Sequence, residues 1–204
     1  MGSPQPTEVQ FGPDVALVVV DVQNDFTDPN GSLYVQGGEV IVPRINALMA
    51  TARDAGATVV LTQDWHPPET PHFEPEGTWP VHCVGGTWGA ELYPDLDRHA
   101  DALVRKGTRG EDGYSAFTMR DHASGDDVPT GLGGLLHQRG VEAVVVVGLA
   151  TDVCVAATAS DAAADGFTTT VVWDATRPVE PDARERVLAE LAACGVAVVG
   201  AGPR

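Results

Sequence analysis

Six short runs rich in valine and other β-formers, at 15–21, 57–63, 102–106, 141–148, 168–173 and 196–199, recur along this 204-residue chain. Most are apolar throughout, and a strand with no polar face has to be covered on both sides. Between them lie helix-like segments at 41–55, 132–139, 152–165 and 181–194, followed by Gly56, Gly140, Gly166 and Gly195, where a left-handed helix cap favours glycine. Strands alternating with helices predict an α/β three-layer sandwich, a parallel sheet with helices on both faces. The length suits one well-buried domain spanning 1–204. Residues 1–13 are read as a flexible N-terminal extension without functional weight, starting on a Met1-Gly2-Ser3 pattern typical of a cloning scar.

A hydrophobic content of 43% with 20% charged residues excludes a disordered chain. The net charge of −17 comes from acids spread along the sequence with no basic stripe to meet phosphates, so no nucleic-acid partner is expected. The longest apolar stretch, 15–20, is far too short for a bilayer, and the N-terminus lacks a charged start followed by an apolar core. The expectation is a cytoplasmic protein without a membrane partner. Cys83, Cys154 and Cys194 form an odd set with no tight pairing pattern, which argues against a disulfide framework.

Ligands of open parallel sheets bind beyond the carboxyl ends of the strands. Asp21, Asp64 and Lys106 close the first three runs, and the fourth leads through 148–152 into a helix bearing Cys154. Lys106 is the one lysine among twelve Lys and Arg residues, and an amine is not interchangeable with a guanidinium in a reactive site. With Thr151 or Asp152 as helix cap, the Cys154 thiol falls in a first helical turn, where the backbone dipole lowers its pKa and free N–H groups hold an oxyanion. The alternative is a cysteine filling a small apolar hole. Asp21 has the place of a general base and acid, with Lys106 keeping it ionised and helping to stabilise a thiolate. A catalytic Lys106 predicts that Lys106→Arg loses rate with little loss of folding.

The stretch 64–96 is too long for an ordinary connection, and long ordered loops are usually functional. It carries Asp64, His66, His72 and His82, with prolines at 67, 68, 71 and 80 limiting its freedom. Asp64 and His66, two apart in an extended segment, face the same way. One carboxylate with three imidazoles suits one divalent ion, zinc, iron(II), manganese or a related metal. His99, His122 and His137 read as surface residues, Cys83 as packing and Cys194 as structural. The glycine-rich stretch 107–131 is expected to form a lid. Phe26, Trp79, Tyr114 and Phe117 are candidate walls for an aromatic ring. Glycines at 107, 110 and 113 lack the dinucleotide fingerprint, which sets aside NAD as cofactor.

Taken together, Val18-Val19-Val20-Asp21-Val22-Gln23-Asn24-Asp25-Phe26, Lys106-Gly107, Gly148-Leu149-Ala150-Thr151-Asp152-Val153-Cys154 and the pattern Asp64, His66, His72 and Trp79-Pro80-Val81-His82-Cys83 resemble the nicotinamidase branch of the isochorismatase-like cysteine hydrolases. The resemblance covers nearly the whole chain. It implies a six-stranded parallel sheet of Rossmann-like topology and a catalytic triad of Asp21, Lys106 and Cys154. It also implies a cis peptide at Leu149-Ala150 and an oxyanion hole from the N–H groups of Ala150 and Cys154. Nicotinamide, a small aromatic amide, would be converted to nicotinate and ammonia through a thioester between walls from Phe26, Trp79 and Tyr114, its ring nitrogen on a metal held by Asp64, His66, His72 and His82. Pyrazinamide would be a second substrate, NAD salvage the setting, and a homo-oligomer is allowed. Two other readings are a sister amide or carbamoyl hydrolase with the same triad, which leaves the clustered histidines unexplained, and a metal-binding thiol redox sensor. Two features depart from the family pattern: the polar insertion Arg109, Glu111 and Asp112, and the apolar Val153 beside the nucleophile.

Overall fold

The computed structural model describes residues 9–201. Its elements in chain order are β1 (Val15–Val20), α1 (Asn24–Thr27), α2 (Val42–Asp54), β2 (Thr58–Asp64), β3 (Ala102–Lys106), β4 (Thr118–Arg120), β5 (Asp127–Pro129), α3 (Leu132–Gln138), β6 (Ala143–Leu149), α4 (Ala156–Ala164), β7 (Thr168–Arg177), α5 (Arg184–Ala193) and β8 (Ala197–Val199). Six of the strands form one parallel sheet in the order β3-β2-β1-β6-β7-β8. That is the doubly wound order in which the chain reverses its direction of travel across the sheet beside the first strand.

Valine-rich β1 and β2 are buried along their whole length, as strands between two helical layers must be. Leu17 and Val19 point into a core with Ile45 and Met49 of α2. Ala16, Val18 and Val20 point the other way, into a core with Leu132 and Leu136 of α3, Ala159 and Ala162 of α4, and Val187 and Leu191 of α5. Each Val, Leu, Ile or Met side chain among them contributes about 1.5–3 kcal/mol on removal from water. The helices end as expected, with Gly56, Gly140, Gly166 and Gly195 at φ of 77, 71, 97 and 77°.

Several expectations are corrected. The stretch 107–131, expected to be irregular, holds an antiparallel hairpin, β4 paired with β5. The segment 152–165 is not a single α-helix: Thr151–Val155 is a π-helical turn that runs into α4. Part of the supposed flexible extension is packed, since Val9 and Phe11 lie half-buried against the α2 core, while residues 1–8 fall outside the described residues. Among the described residues, no helix is long and apolar enough to cross a membrane.

The carboxyl ends of β1 and β6 approach each other closely because of Gly148. A Cβ there would fall 2.1 Å from the carbonyl oxygen of Val20, and its φ is 111°. Only glycine fits, and the two chain ends beyond it carry Asp21 and the turn to Cys154.

Candidate active site

Beyond these strand ends, Asp21, Asp64, Lys106 and Cys154 converge, all buried. Asp21 directly follows β1 with φ of 49°. Thr62 of β2 holds it twice, donating from Oγ1 to Asp21 Oδ1 at 2.6 Å and accepting from the Asp21 N–H at 3.1 Å. The Lys106 ammonium, 0% exposed, lies 2.7 Å from Asp21 Oδ2 and 2.5 Å from Asp64 Oδ1, and donates to the Gly113 carbonyl at 2.8 Å. Its distance to Cys154 Sγ is 3.8 Å.

Two carboxylates and one ammonium buried together set the electrostatics. Burial pushes the Asp21 carboxyl up to about 6, against the opposing charge of Lys106. Burial acts on Asp64 in the same sense, yet Lys106, His66 and His82 outweigh it and hold that carboxyl below its ordinary value. Burial disfavours the Lys106 charge, but the two carboxylates overcome this and raise its pKa well above the usual lysine value. The Cys154 thiol differs from the expectation of a lowered pKa. Burial pushes it well up and the lysine only partly offsets this, so the thiol keeps its proton until a base takes it. The capping expectation fails too: Ala150 is the N-cap, without a side-chain cap bond. Asp152 instead accepts the N–H groups of Val179 and Glu180 at 2.8 and 2.9 Å, tying the Cys154 turn to the segment after β7. The peptide Leu149-Ala150 is cis.

Nitrogen atoms of His66, His72 and His82 lie within 4.8 Å of one another, and all three rings are buried. Oδ2 of Asp64 sits 3.9 Å from Nε2 of His66 and 3.9 Å from Nε2 of His82. The His82 Nδ1 is 2.7 Å from the Pro80 carbonyl oxygen, which makes Nδ1 the donor and leaves the Nε2 lone pair facing the cluster. Both ring nitrogens of His66 are buried without a hydrogen-bond partner among the described residues. Burial lowers its imidazole to about 4, a neutral ring with an unused lone pair. Unsatisfied buried nitrogen in a set of three imidazoles with the Asp64 carboxylate beside it fits a bound divalent cation.

A cavity opens beside this cluster, lined by Phe26, Trp79 and Tyr114 together with Asp64, His72, His82 and Ala150. Its enclosed volume is small, about 30 Å³. Trp79 Nε1 donates to the Tyr114 hydroxyl at 2.9 Å, bracing two of the walls. Leu33, Val35, Val153 and Val179, absent from the expected walls, complete an apolar rim. Phe117 belongs to the α3/α4 core beside Phe167 and does not line the cavity. Cys83 is buried and Cys194 is exposed, which corrects the structural reading of Cys194. His99 is exposed beside Asp97, His137 stacks on Phe167 and His122 is partly covered near Asp112.

Three positioning residues had no sequence expectation. Gln23 accepts the Asp64 N–H at 2.8 Å and donates to the Asp64 and Ala90 carbonyls at 2.7 and 2.9 Å. Asp25 accepts the Cys83 N–H at 2.7 Å and the Ser32 N–H at 3.0 Å, fixing the backbone next to His82. Thr62 supports Asp21 from the neighbouring strand. Polar residues directly after β1 were the available signal, one that equally fits ordinary turn formation.

Residues 15–202 match the family described as the isochorismatase domain. The chain is 44% identical over 185 residues to the nicotinamidase of Acinetobacter baylyi, covering 81% of this chain and 82% of that protein. Its fold superposes on PnC1 from L. infantum, solved in complex with nicotinate, with a TM-score of 0.85 and 40% identity over 94% of this chain and 95% of that one. The pyrazinamidase of Pyrococcus horikoshii, solved in complex with zinc, gives a TM-score of 0.80 and 36% identity over 92% and 99% of the two chains. Matched by this family over residues 15–202 and superposing on these solved folds over more than nine-tenths of its length, the chain belongs to the isochorismatase domain family.

Proposed function

We propose that this protein hydrolyses nicotinamide to nicotinate and ammonia through a thioester on Cys154, and that it also accepts pyrazinamide. One observation carries the reading: Asp64 faces Lys106 with one oxygen and His66 and His82 with the other, so a single carboxylate joins a thiol-bearing acid–base cluster to a three-imidazole cluster at the mouth of one aromatic-walled cavity. The nicotinamidase and pyrazinamidase relatives support the substrate class.

In this reading Asp21, Lys106 and Cys154 are the catalytic groups. A zinc, iron(II) or manganese ion on Asp64, His66, His72 and His82 would supply a Lewis-acidic point that draws the ring nitrogen of the substrate. Phe26, Trp79 and Tyr114 flank the ring and orient the carboxamide, and orientation of this kind lowers a barrier by about 7 kcal/mol when geometry is ideal. Asp21 takes the proton of the Cys154 thiol as sulfur attacks the carboxamide carbon. The carbonyl oxygen becomes an oxyanion held by the N–H groups of Ala150 and Cys154. Asp21 passes its proton to the amide nitrogen, the C–N bond breaks and ammonia leaves a thioester. Asp21 then takes a proton from the attacking water, the C–S bond breaks, and the proton returns to sulfur as nicotinate departs. Lys106 stays protonated throughout and keeps Asp21 ionised between proton transfers. A cytoplasmic role in pyridine-nucleotide salvage belongs to the same reading.

The test is ammonia release from nicotinamide by purified protein, before and after chelation and divalent-metal readdition, with Cys154→Ala as control. Activity that vanishes with chelation, returns with the ion and is absent in Cys154→Ala is the expected result. No ammonia with any ion, or turnover by Cys154→Ala, would sink the proposal.

A further inference from the structure

His72 and His82 both face the cluster, but the two rings are held in different ways. His82 leans on the carbonyl of Pro80, two residues away. His72 is tied through Nδ1 to Oδ1 of Asp112, forty residues distant. Asp112 lies in the polar stretch with Arg109 and Glu111, and it is only partly covered, with its side chain 33% exposed. Its backbone is fixed on both sides. The Asp112 N–H donates to the Arg120 carbonyl at 2.9 Å, and its carbonyl accepts the Arg120 N–H at 2.6 Å. This isolated antiparallel bridge continues the β4–β5 hairpin, in which Arg120 pairs with Asp127. The hairpin turn also brings His122 to this carboxylate, with its Nε2 3.6 Å from the same oxygen. The His72 ring in turn stacks on His66, with centroids 4.6 Å apart and planes at 18°.

We infer that Asp112 is a positioning residue for metal binding: its carboxylate, set in place by the β4–β5 hairpin, holds His72 with its proton on Nδ1 and aims Nε2 into the three-histidine cluster. An imidazole ligand commonly donates its second N–H to a carboxylate or carbonyl, which fixes its tautomer and orientation and strengthens it as a donor. His82 receives this support from a backbone carbonyl, and His72 receives it from Asp112. The stacking on His66 means that a loosened His72 ring disturbs a second ligand. The inference rests on the metal site of the proposed function.

Chelated, metal-free protein is titrated with zinc against a chromophoric chelator, and with cobalt(II) while its visible absorption bands are recorded. Asp112→Ala is expected to bind zinc roughly 10- to 100-fold more weakly than wild type and to shift the cobalt bands, with the melting temperature of the metal-free protein unchanged. Asp112→Asn keeps an oxygen acceptor for the Nδ1–H and is expected to regain most of the affinity and the wild-type bands. Wild-type zinc affinity with unshifted bands in Asp112→Ala would overturn the inference while leaving the metal site standing, and so would an Asn variant as weak as the Ala variant. If wild-type protein binds neither ion, the metal site falls and the inference falls with it.

Discussion

Lys106 is the clearest case of a residue whose chemistry and folding cannot be separated. Its ammonium is fully enclosed and pairs with two buried carboxylates, those of Asp21 and Asp64. Removing one partner of a buried ion cluster leaves uncompensated charge, so Lys106→Met is expected to cost about 3–5 kcal/mol in urea unfolding of chelated protein as well as abolishing turnover. The larger guanidinium of Lys106→Arg meets a fully enclosed site, and the expectation of lost rate with little loss of folding is revised accordingly. Gly107, the next residue, is equally constrained. Its φ is 75°, and a Cβ would stand 2.6 Å from both Cε1 and Nδ1 of His66. Gly107→Ala should therefore displace that ring and weaken zinc binding, read by chelator competition. Wild-type affinity in this variant would mean that His66 does not need its present place.

Connections between elements carry as much of the site as the elements themselves. The polar residues after β1 act on the loop that follows β2, with Gln23 gripping both backbone groups of Asp64 and Asp25 gripping the Cys83 N–H. A second anchor ties α2 to the approach to β3. Asp97 accepts the His99 N–H at 2.9 Å and pairs with Arg53 at 2.7 Å and with the His99 ring at 2.7 Å. The backbone N–H of His99 and then the His99 and Arg53 side chains hold its carboxyl at about 2, below the ordinary value. A carboxyl depressed in the folded state stabilises the fold above its unfolded pKa and loses that contribution as pH falls through the folded value. Asp97→Asn should thus melt below wild type from pH 4 upward, with the gap narrowing as pH drops toward 2. A gap that stays constant with pH would assign the loss to packing instead of charge.

At the scale of the whole molecule, the two helical layers and the doubly wound strand order bring residues from every third of the chain to one rim. An ion that binds only the folded chain stabilises it by mass action, by about 4 kcal/mol at a thousandfold excess over Kd. For a chain of this size that corresponds to a melting temperature roughly 8–16 °C lower after chelation, recovered on adding zinc. A melting curve indifferent to chelator and zinc would count against an ion bound by the folded state. The apolar valine runs and the glycines after each helix determined the parallel sheet and its two covering layers by themselves, because burial on both faces and left-handed caps are written in neighbouring residues. The short list of Asp, Lys, Cys and His at strand ends was likewise open to reading, since strand ends of such sheets face one rim. Only the tertiary structure decided the partners. His72 meets Asp112 across forty residues, Asp64 meets Gln23 and Asp21 meets Thr62 across forty-one, and the thiol is held protonated by burial instead of being activated by a helix cap. A hydrogen bond over such a separation depends on sheet register and loop path, and desolvation depends on everything packed around a group, so no local pattern of residues encodes either one.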